Sequence, residues 1–235
     1  MPKRNFRKRN FRKRNIRKRN IRFTISILLN LLIIVFMVIG TVVMLMPRKD
    51  ANGMVLMSRG WRNLRYFTVL SNEFCGIVSL LWLIFELRGK RFPAMLKLMS
   101  VTGVGLTFIV VACFFAPMLP ERNLYEGGNF WFHLIVPVTA MLEYLILDTD
   151  RIPARKAVIA ALPSLLYGIG YSVNLLINGI GTGVSSNDWY GFLTWGYPTG
   201  ILIFMAVILM SWIIACLMQL LNRITMKFLL DRNMG

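Results

Sequence analysis

The chain has 235 residues, of which 56% are hydrophobic, and its mean hydropathy is +0.59. These values exclude an ordinary soluble domain, because several uncharged runs of about 20 residues predict membrane-spanning helices. The formal net charge is +18, but 12 of the 28 Lys and Arg residues fall within the first 22 positions. The positive charge therefore belongs to a terminal tail, and no nucleic-acid partner is expected.

Residues 3–22 consist of four near-identical pentapeptides, KRNFR, KRNFR, KRNIR and KRNIR. Because like charges repel one another, the sequence predicts residues 1–22 to be a disordered basic tail. Beside a membrane span, such a tail is attracted to anionic lipid headgroups by roughly 1 kcal/mol per basic residue near the surface. The simpler alternative is that the charges only fix the orientation of the first span.

Six apolar segments after the tail predict an all-α polytopic membrane protein, a bundle of six transmembrane helices. The predicted spans are Phe23–Met46, Tyr66–Leu87, Leu98–Leu119, Phe130–Leu147, Ala157–Ile177 and Tyr197–Leu221. The first is too long for the apolar core of a signal peptide, so we interpret it as a retained span. The predicted organisation is a tail over residues 1–22, a six-helix domain over residues 23–222 and a short cytoplasmic tail over residues 223–235.

The charges of the connecting loops predict the orientation of the bundle. Six spans place both termini on one side of the membrane. If that side is the cytoplasm, the inner segments hold 10 Lys and Arg residues even without the tail, and the outer loops hold six. Positively charged residues are retained preferentially on the cytoplasmic side. We therefore expect a multi-pass protein of the cell membrane, in contact with membrane lipids and with cytoplasmic termini.

The fourth predicted span contains the only histidine of the chain, His133, in the run FWFHLIVPVTAMLEYLILD. Pro137 lacks the N–H that would bond the carbonyl of His133 in an α-helix, which predicts a free acceptor and a kink. Titratable groups at membrane depth mark functional sites by default. The alternative interpretation is a histidine at a helix end that contacts lipid headgroups.

The second predicted span carries one small polar face. Its members are spaced at i, i+3, i+4 and i+7 and are Thr68, Ser71, Asn72 and Cys75. Faces of this kind commonly hold membrane helices together, which is the structural interpretation. Thr68 and His133 each lie about four residues, or roughly 6 Å, inside the outer end of their spans. Matching depths favour a shared site in the outer half of the bundle.

The fifth span brings Tyr171 and Asn174 to a similar depth. Together with Asn72 they are the candidates to orient the imidazole of His133 or to stabilise a developing oxyanion. Ser71 belongs to the same group of candidate binding residues. Glu73 lies near mid-membrane, where an ionised carboxyl is costly, so it is expected to be protonated or paired. It can orient the histidine or relay protons, or simply form a hydrogen bond to another helix.

The chain lacks the patterns of several common sites. Cys75, Cys113 and Cys216 fall inside predicted spans without CxxC spacing, so neither a disulfide nor a zinc site is expected. The sequence contains no HExxH and no GxSxG, which leaves a metallohydrolase or a Ser-His-Asp triad without support. No metal ion and no cofactor is predicted.

Three short motifs carry a family resemblance: RYFTVLSN at the start of the second span, HLIVP in the fourth with an acidic inner end, and GYP before the last. Together they resemble a group of six-span bacterial membrane proteins that is similar to the eukaryotic androgen-induced and androgen-dependent integral membrane proteins. The likeness extends in layout over roughly residues 23–222 and is specific only at these motifs.

The eukaryotic members of that family are intramembrane threonine hydrolases that cleave fatty-acid esters of hydroxy fatty acids. The resemblance implies that Thr68 is the nucleophile and His133 its partner. One departure is that Pro137 follows His133 at i+4, one residue closer than in the eukaryotic proteins. The basic pentapeptide tail has no counterpart in the family.

Three hypotheses about function follow. The first is a lipid-ester hydrolase, in which His133 removes the proton that makes the hydroxyl of Thr68 a poor nucleophile. The second is a small transporter that uses Glu73 and His133, although the first and second halves of the chain show no convincing internal repeat. The third is a non-catalytic membrane scaffold.

Overall fold

A computed structural model of the chain describes residues 3–46, 48–49, 55–56, 60–121, 123–147, 149–182 and 186–231. Side chains are described within residues 21–229, apart from the gaps and the two short strands. The described part contains six helices long and apolar enough to cross a membrane. Their bounds are Lys3–Leu45 (α1), Phe67–Leu87 (α2), Ala94–Met118 (α3), Gly128–Ile146 (α4), Ala154–Asn178 (α5) and Tyr197–Asp231 (α6). The predicted all-α, six-span membrane bundle is confirmed.

The two terminal helices extend beyond the predicted spans. The backbone of α1 begins at Lys3, within the repeat for which the sequence predicts disorder, and its membrane-crossing part is Ile21–Leu45. Extension of an existing helix requires no new nucleus, so charged residues can continue the helix of a span. At the other terminus α6 runs to Asp231, past the boundary predicted at residue 222. Ile224 and Phe228 continue its apolar pattern there.

The connections define two ends of the bundle. At the loop end lie the described parts of the connections that follow α1, α3 and α5. The first contains the 3-10 helix Gly60–Arg65 and two short antiparallel strands, Arg48–Lys49 (β1) and Val55–Leu56 (β2). At the tail end lie the connection over residues 88–93, the described part of the connection after α4, the start of the first span and the end of α6.

Helix α3 lies at the centre of the bundle and packs against α2, α4 and α6. The largest cluster of buried apolar side chains surrounds it toward the tail end. Glycines allow the neighbouring helices to approach closely: a Cβ atom at Gly40 of α1 would lie 2.6 Å from the ring of Phe132 in α4. Helix α5 is peripheral. It meets α6 where Gly168 faces Phe204. Many of its apolar side chains are exposed, as is expected for side chains that face lipid.

Two of the helices contain a π-helical turn, and both turns precede a proline. In α3 the turn is Val111–Phe115, with Pro117 two residues later. In α4 it is Trp131–Ile135, with Pro137 two residues later. A π turn joins each N–H to the carbonyl five residues earlier, as Val136 does to Trp131. Proline cannot supply that N–H, so each proline deprives the carbonyl five residues before it of a backbone donor.

Candidate active site

The side-chain amide of Asn72 joins α2 to the π turn of α4. Its Nδ2 donates to the carbonyl of Phe132 at 3.0 Å, the group that Pro137 deprives of a backbone donor. The same nitrogen donates to the carbonyl of Thr68 at 2.7 Å. One buried amide thus holds the helical turn that begins at Thr68 against the residue before His133. The sequence predicted a free carbonyl at His133; the contact described here lies one residue earlier, because the turn is π-helical.

Ser71 fixes the same turn of α2 from another side. Its hydroxyl donates to the carbonyl of Thr68 at 3.1 Å and lies 3.1 Å from the hydroxyl oxygen of Thr107 in α3. Ser71, Asn72 and Cys75 are all buried, so the polar face of α2 points into the bundle. The structural interpretation of that face therefore holds for Ser71 and Asn72, which bind α2 to its neighbours.

The imidazole of His133 is oriented by a backbone carbonyl at the loop end. Nδ1 lies 2.6 Å from the carbonyl oxygen of Leu124, and the ring of Tyr125 packs edge-on against the imidazole. A carbonyl oxygen only accepts, so Nδ1 carries the proton and Nε2 holds the lone pair of the neutral ring. The orienting group is thus Leu124, and not one of the three side chains that the sequence suggested.

The hydroxyl of Thr68 and Nε2 of His133 are both unpaired. Neither atom has a hydrogen-bond partner among the described residues, and neither belongs to the fully buried polar atoms without a partner. Thr68 is half-buried, whereas only 8% of His133 is exposed. Each reactive atom is therefore unpaired, while Asn72 bonds the carbonyl of Thr68 and that of Phe132, the residue before His133.

Glu73 belongs to a separate contact. Its carboxyl accepts a hydrogen bond from the hydroxyl of Thr41, which also donates to the carbonyl of Met37 at 2.9 Å. The bond runs from α1 to α2 and agrees with the alternative in which Glu73 only joins two helices. No described contact connects Glu73 with His133.

Tyr171 and Asn174 contact the connection before α6, or their own helix, and not His133. The Tyr171 hydroxyl donates to the carboxylate of Asp188, which also accepts the backbone N–H groups of Phe192 and Leu193, each at 2.9 Å. Asn174 accepts from Asn178 at 2.9 Å. Both predicted residues therefore lie at the loop end, but the structure does not bring them to the imidazole.

An aromatic cluster covers the start of α2 at the loop end. Its rings, in mutual contact, belong to Tyr66, Phe67, Tyr167, Tyr171, Trp189, Tyr190 and Phe192. The Phe67 N–H donates to the Tyr190 hydroxyl at 2.8 Å, and the Tyr167 hydroxyl donates to the carbonyl of Arg65 at 2.6 Å. Burial raises the pKa of the Tyr190 phenol well above its ordinary value, so it stays neutral even at a pH where an exposed tyrosine ionises.

A buried polar cluster at the tail end was not predicted as a site. Lys97 Nζ lies 3.1 Å from Glu143 Oε2 and also donates to the side-chain oxygen of Asn30. The other carboxylate oxygen of Glu143 accepts from Ser26 at 2.8 Å and from Asn30 at 2.9 Å. The available signal was a lysine directly before the third apolar run and a glutamate one turn before the end of the fourth, both at the same end of the bundle.

Other predicted features can be placed briefly. Cys75, Cys113 and Cys216 are free thiols. Within the described residues no group of three or more His, Cys, Asp or Glu side chains is arranged to hold a metal ion.

Comparison of the chain with models of protein families, with curated protein sequences and with solved structures finds no match in any of the three. The family resemblance and the roles it implies for Thr68 and His133 therefore stay predictions.

Proposed function

We propose that this multi-pass membrane protein hydrolyses fatty-acyl esters, with Thr68 as nucleophile and His133 as general base. Nε2 of His133 takes the proton as Thr68 Oγ1 attacks the ester carbonyl carbon. Collapse of the tetrahedral intermediate leaves an acyl group on Thr68, and the imidazolium gives its proton to the departing alcohol. Water activated by the same imidazole then releases the fatty acid and regenerates the hydroxyl.

The observation that carries the proposal is the double hydrogen bond of Asn72. This buried amide holds the turn that begins at Thr68 against the turn that contains His133. The Nδ1 bond to Leu124 supports it further, because it leaves Nε2 as the acceptor that a general base needs. The lipid-facing exposure of α5 and α6 fits an acyl chain that arrives from the membrane.

The transporter hypothesis has less support in the geometry. It requires Glu73 and His133 to act together, but Glu73 bonds to Thr41 of α1 and His133 bonds to Leu124. The scaffold hypothesis does not account for the unpaired Thr68 hydroxyl and His133 Nε2 near a buried amide that bonds two carbonyls. Ester hydrolysis uses both.

The test is turnover of a long-chain fluorogenic acyl ester by the full chain in lipid nanodiscs. Thr68→Ala should abolish turnover, and His133→Ala should lower it by about 10²–10⁴-fold. The double variant should be little worse than Thr68→Ala, because the two groups act as one unit. A fluorophosphonate probe should label Thr68 in the wild type and lose that label in Thr68→Ala.

The matched control is Thr139→Ala. Thr139 is another half-buried threonine, and its hydroxyl donates to the carbonyl of Ile135 within its own helix. Its replacement should leave turnover within about twofold of the wild type, since such back-bonding contributes little. Turnover that survives in Thr68→Ala would refute the mechanism, and so would probe labelling of another residue.

We also propose that the tail end faces the cytoplasm. The excess of Lys and Arg residues in the tail-end connections supports this orientation. The excess remains when Lys97, which lies inside α3, is left out of the count. In a background without native cysteines, Asn187→Cys should react with an impermeant maleimide on intact cells and Lys90→Cys should not. The reverse pattern would invert the assignment.

The basic repeat is proposed to bind anionic lipid from that side. Deletion of residues 3–19 should weaken binding to anionic vesicles while the spans stay folded, and added salt should reduce the difference. Equal binding of the deleted and full chains would refute this role.

A further inference from the structure

A cavity of about 260 Å³ opens at the tail end, between the last turn of α2, the start of α3 and the segment after α4. It lies at the opposite end of the bundle from Thr68 and His133. Its lining includes two aromatic rings and four charged side chains: Trp82, Phe92, Glu86, Arg91, Lys97 and Asp150. The volume is below the usual range for drug-sized ligands, which indicates a small polar group as the occupant.

Lys97 contributes little positive charge to this cavity. Its ammonium group is paired with Glu143, hydrogen-bonded to Asn30 and placed 5.3 Å from the ring of Trp82. Because Glu143 neutralises its charge, the Lys97 side chain lines the cavity without acting as a free cation. The same contacts hold Trp82 as a rigid wall, since Trp82 is itself only 4% exposed.

The other three charged side chains have no ion pair and no hydrogen bond among the described residues. They are Glu86, which is half-buried, and Arg91 and Asp150, which are exposed, and they line the cavity from three different segments of the chain. Two carboxylates and one guanidinium lining the same cavity are complementary to a ligand that presents a cation and an anion together. Carboxylates accept hydrogen bonds from a primary ammonium, and a guanidinium matches a phosphate.

We propose that this cavity binds a primary ammonium joined by a short chain to a phosphate, as in the headgroup of phosphatidylethanolamine. Glu86 and Asp150 accept hydrogen bonds from the ammonium, Arg91 binds the phosphate, and Trp82 and Phe92 flank the cation. A lipid is the source because the cavity opens where the spans end. Leu87, next to Glu86 and 87% exposed, offers apolar surface for an acyl chain.

The experiment measures binding of short-chain lipids to the purified full chain in detergent, by native mass spectrometry and thermal stabilisation. Phosphatidylethanolamine should bind at least about tenfold more tightly than phosphatidylcholine, whose quaternary ammonium has no N–H to donate. It should also bind more tightly than phosphatidylglycerol, which has no ammonium at all. Thr68→Ala should bind as the wild type does, because the cavity is independent of the proposed hydrolase.

Variants assign the contacts within the cavity. Glu86→Gln and Asp150→Asn should each remove most of the preference for phosphatidylethanolamine over phosphatidylcholine. Arg91→Gln should weaken both lipids by about tenfold, because both carry the phosphate. Lys90→Gln is the matched control: Lys90 is exposed and adjacent to Arg91 but does not line the cavity, so its removal should change nothing.

Three results would overturn the proposal. Equal affinity for phosphatidylethanolamine and phosphatidylcholine would show that no ammonium is recognised. An unchanged preference in Glu86→Gln and Asp150→Asn, with thermal unfolding like that of the wild type, would place the lipid elsewhere. Soluble phosphoethanolamine that binds as tightly as the lipid would overturn the assignment to a membrane ligand and leave a soluble one of the same chemistry.

Discussion

The two polar clusters of the bundle, one at each end, differ in how completely their atoms are paired. At the tail end, Lys97, Glu143, Asn30 and Ser26 satisfy one another across α1, α3 and α4. At the loop end, several polar atoms are left over. In the described part of the chain, three of the four fully buried side-chain atoms without a partner lie there: Arg65 Nε, Asn72 Oδ1 and Asn174 Nδ2.

This difference separates a structural role from a chemical one. A buried charge pair is costly to form and very costly to break, so a complete set of partners is what a supporting cluster requires. A reacting group needs the opposite, namely an atom that is held in place by its backbone and left free at its tip. Thr68 and His133 meet that requirement, since their neighbours are bonded and their reactive atoms are not.

The largest expected effect comes from breaking the tail-end pair. Glu143→Leu leaves the ammonium of Lys97 buried without its counter-ion and should cost about 3–5 kcal/mol of unfolding free energy. The double variant Lys97→Met/Glu143→Leu should recover much of that loss, because no isolated charge remains. Reversible unfolding in mixed detergent micelles measures both values.

Lys90→Met is the control for the loss of a nearby positive charge. Lys90 is exposed in the connection before α3, so its replacement should change stability by no more than about 0.5 kcal/mol. If Glu143→Leu costs less than about 1 kcal/mol, the cluster does not support the fold and its contrast with the loop end disappears.

A smaller effect is expected at Asn72. Asn72→Leu removes the donor that α2 supplies to the carbonyl of Phe132 and should cost about 1–3 kcal/mol, because Pro137 has no N–H to replace it in the π register. Ester turnover should fall as well, since the turns of Thr68 and His133 lose their link. Unfolding and turnover are measured on the same preparation.

Pro137→Ala should restore part of the stability lost in Asn72→Leu. It returns a backbone N–H to position 137, from which the carbonyl of Phe132 can be bonded in the π register. The double variant Asn72→Leu/Pro137→Ala should therefore be more stable than Asn72→Leu alone. Strictly additive effects of the two changes would contradict the pairing described here.

The helices were predictable because length and polarity alone select membrane spans. All six predicted runs correspond to helices, with ends that shift by a few residues except at the two termini. The inward polar face of α2 was equally predictable, since spacing at i, i+3, i+4 and i+7 fixes one side of a helix. The depth argument correctly brought Thr68 and His133 to one end of the bundle.

Contacts made across large separations in sequence were less accessible. The sequence gives no sign that Leu124, in a connection, orients His133, because any backbone carbonyl can do so. Lys97 was counted among the loop charges, although burial against Glu143 makes it part of the core. The π turn was not predicted, because a proline in the sequence does not show whether the helix accommodates it by a simple kink or by a π turn.

The smallest predicted effect concerns the aromatic cluster over α2, where the hydroxyl of Tyr190 accepts the first backbone N–H of the helix. Tyr190→Phe keeps the ring that stacks on Phe192 but removes the acceptor of the Phe67 N–H, and should cost about 0.5–1.5 kcal/mol.

The pH dependence of this difference in stability gives the sharper test. Because burial raises the pKa of Tyr190, the unfolded chain ionises near pH 10, its ordinary value, and the folded chain does not. The wild type therefore loses stability as pH rises above about 10, whereas Tyr190→Phe lacks that loss. The difference between the two should narrow from pH 8 to pH 10.5 in unfolding measurements, with the other tyrosines common to both chains; a constant difference would mean that the Tyr190 hydroxyl is not buried.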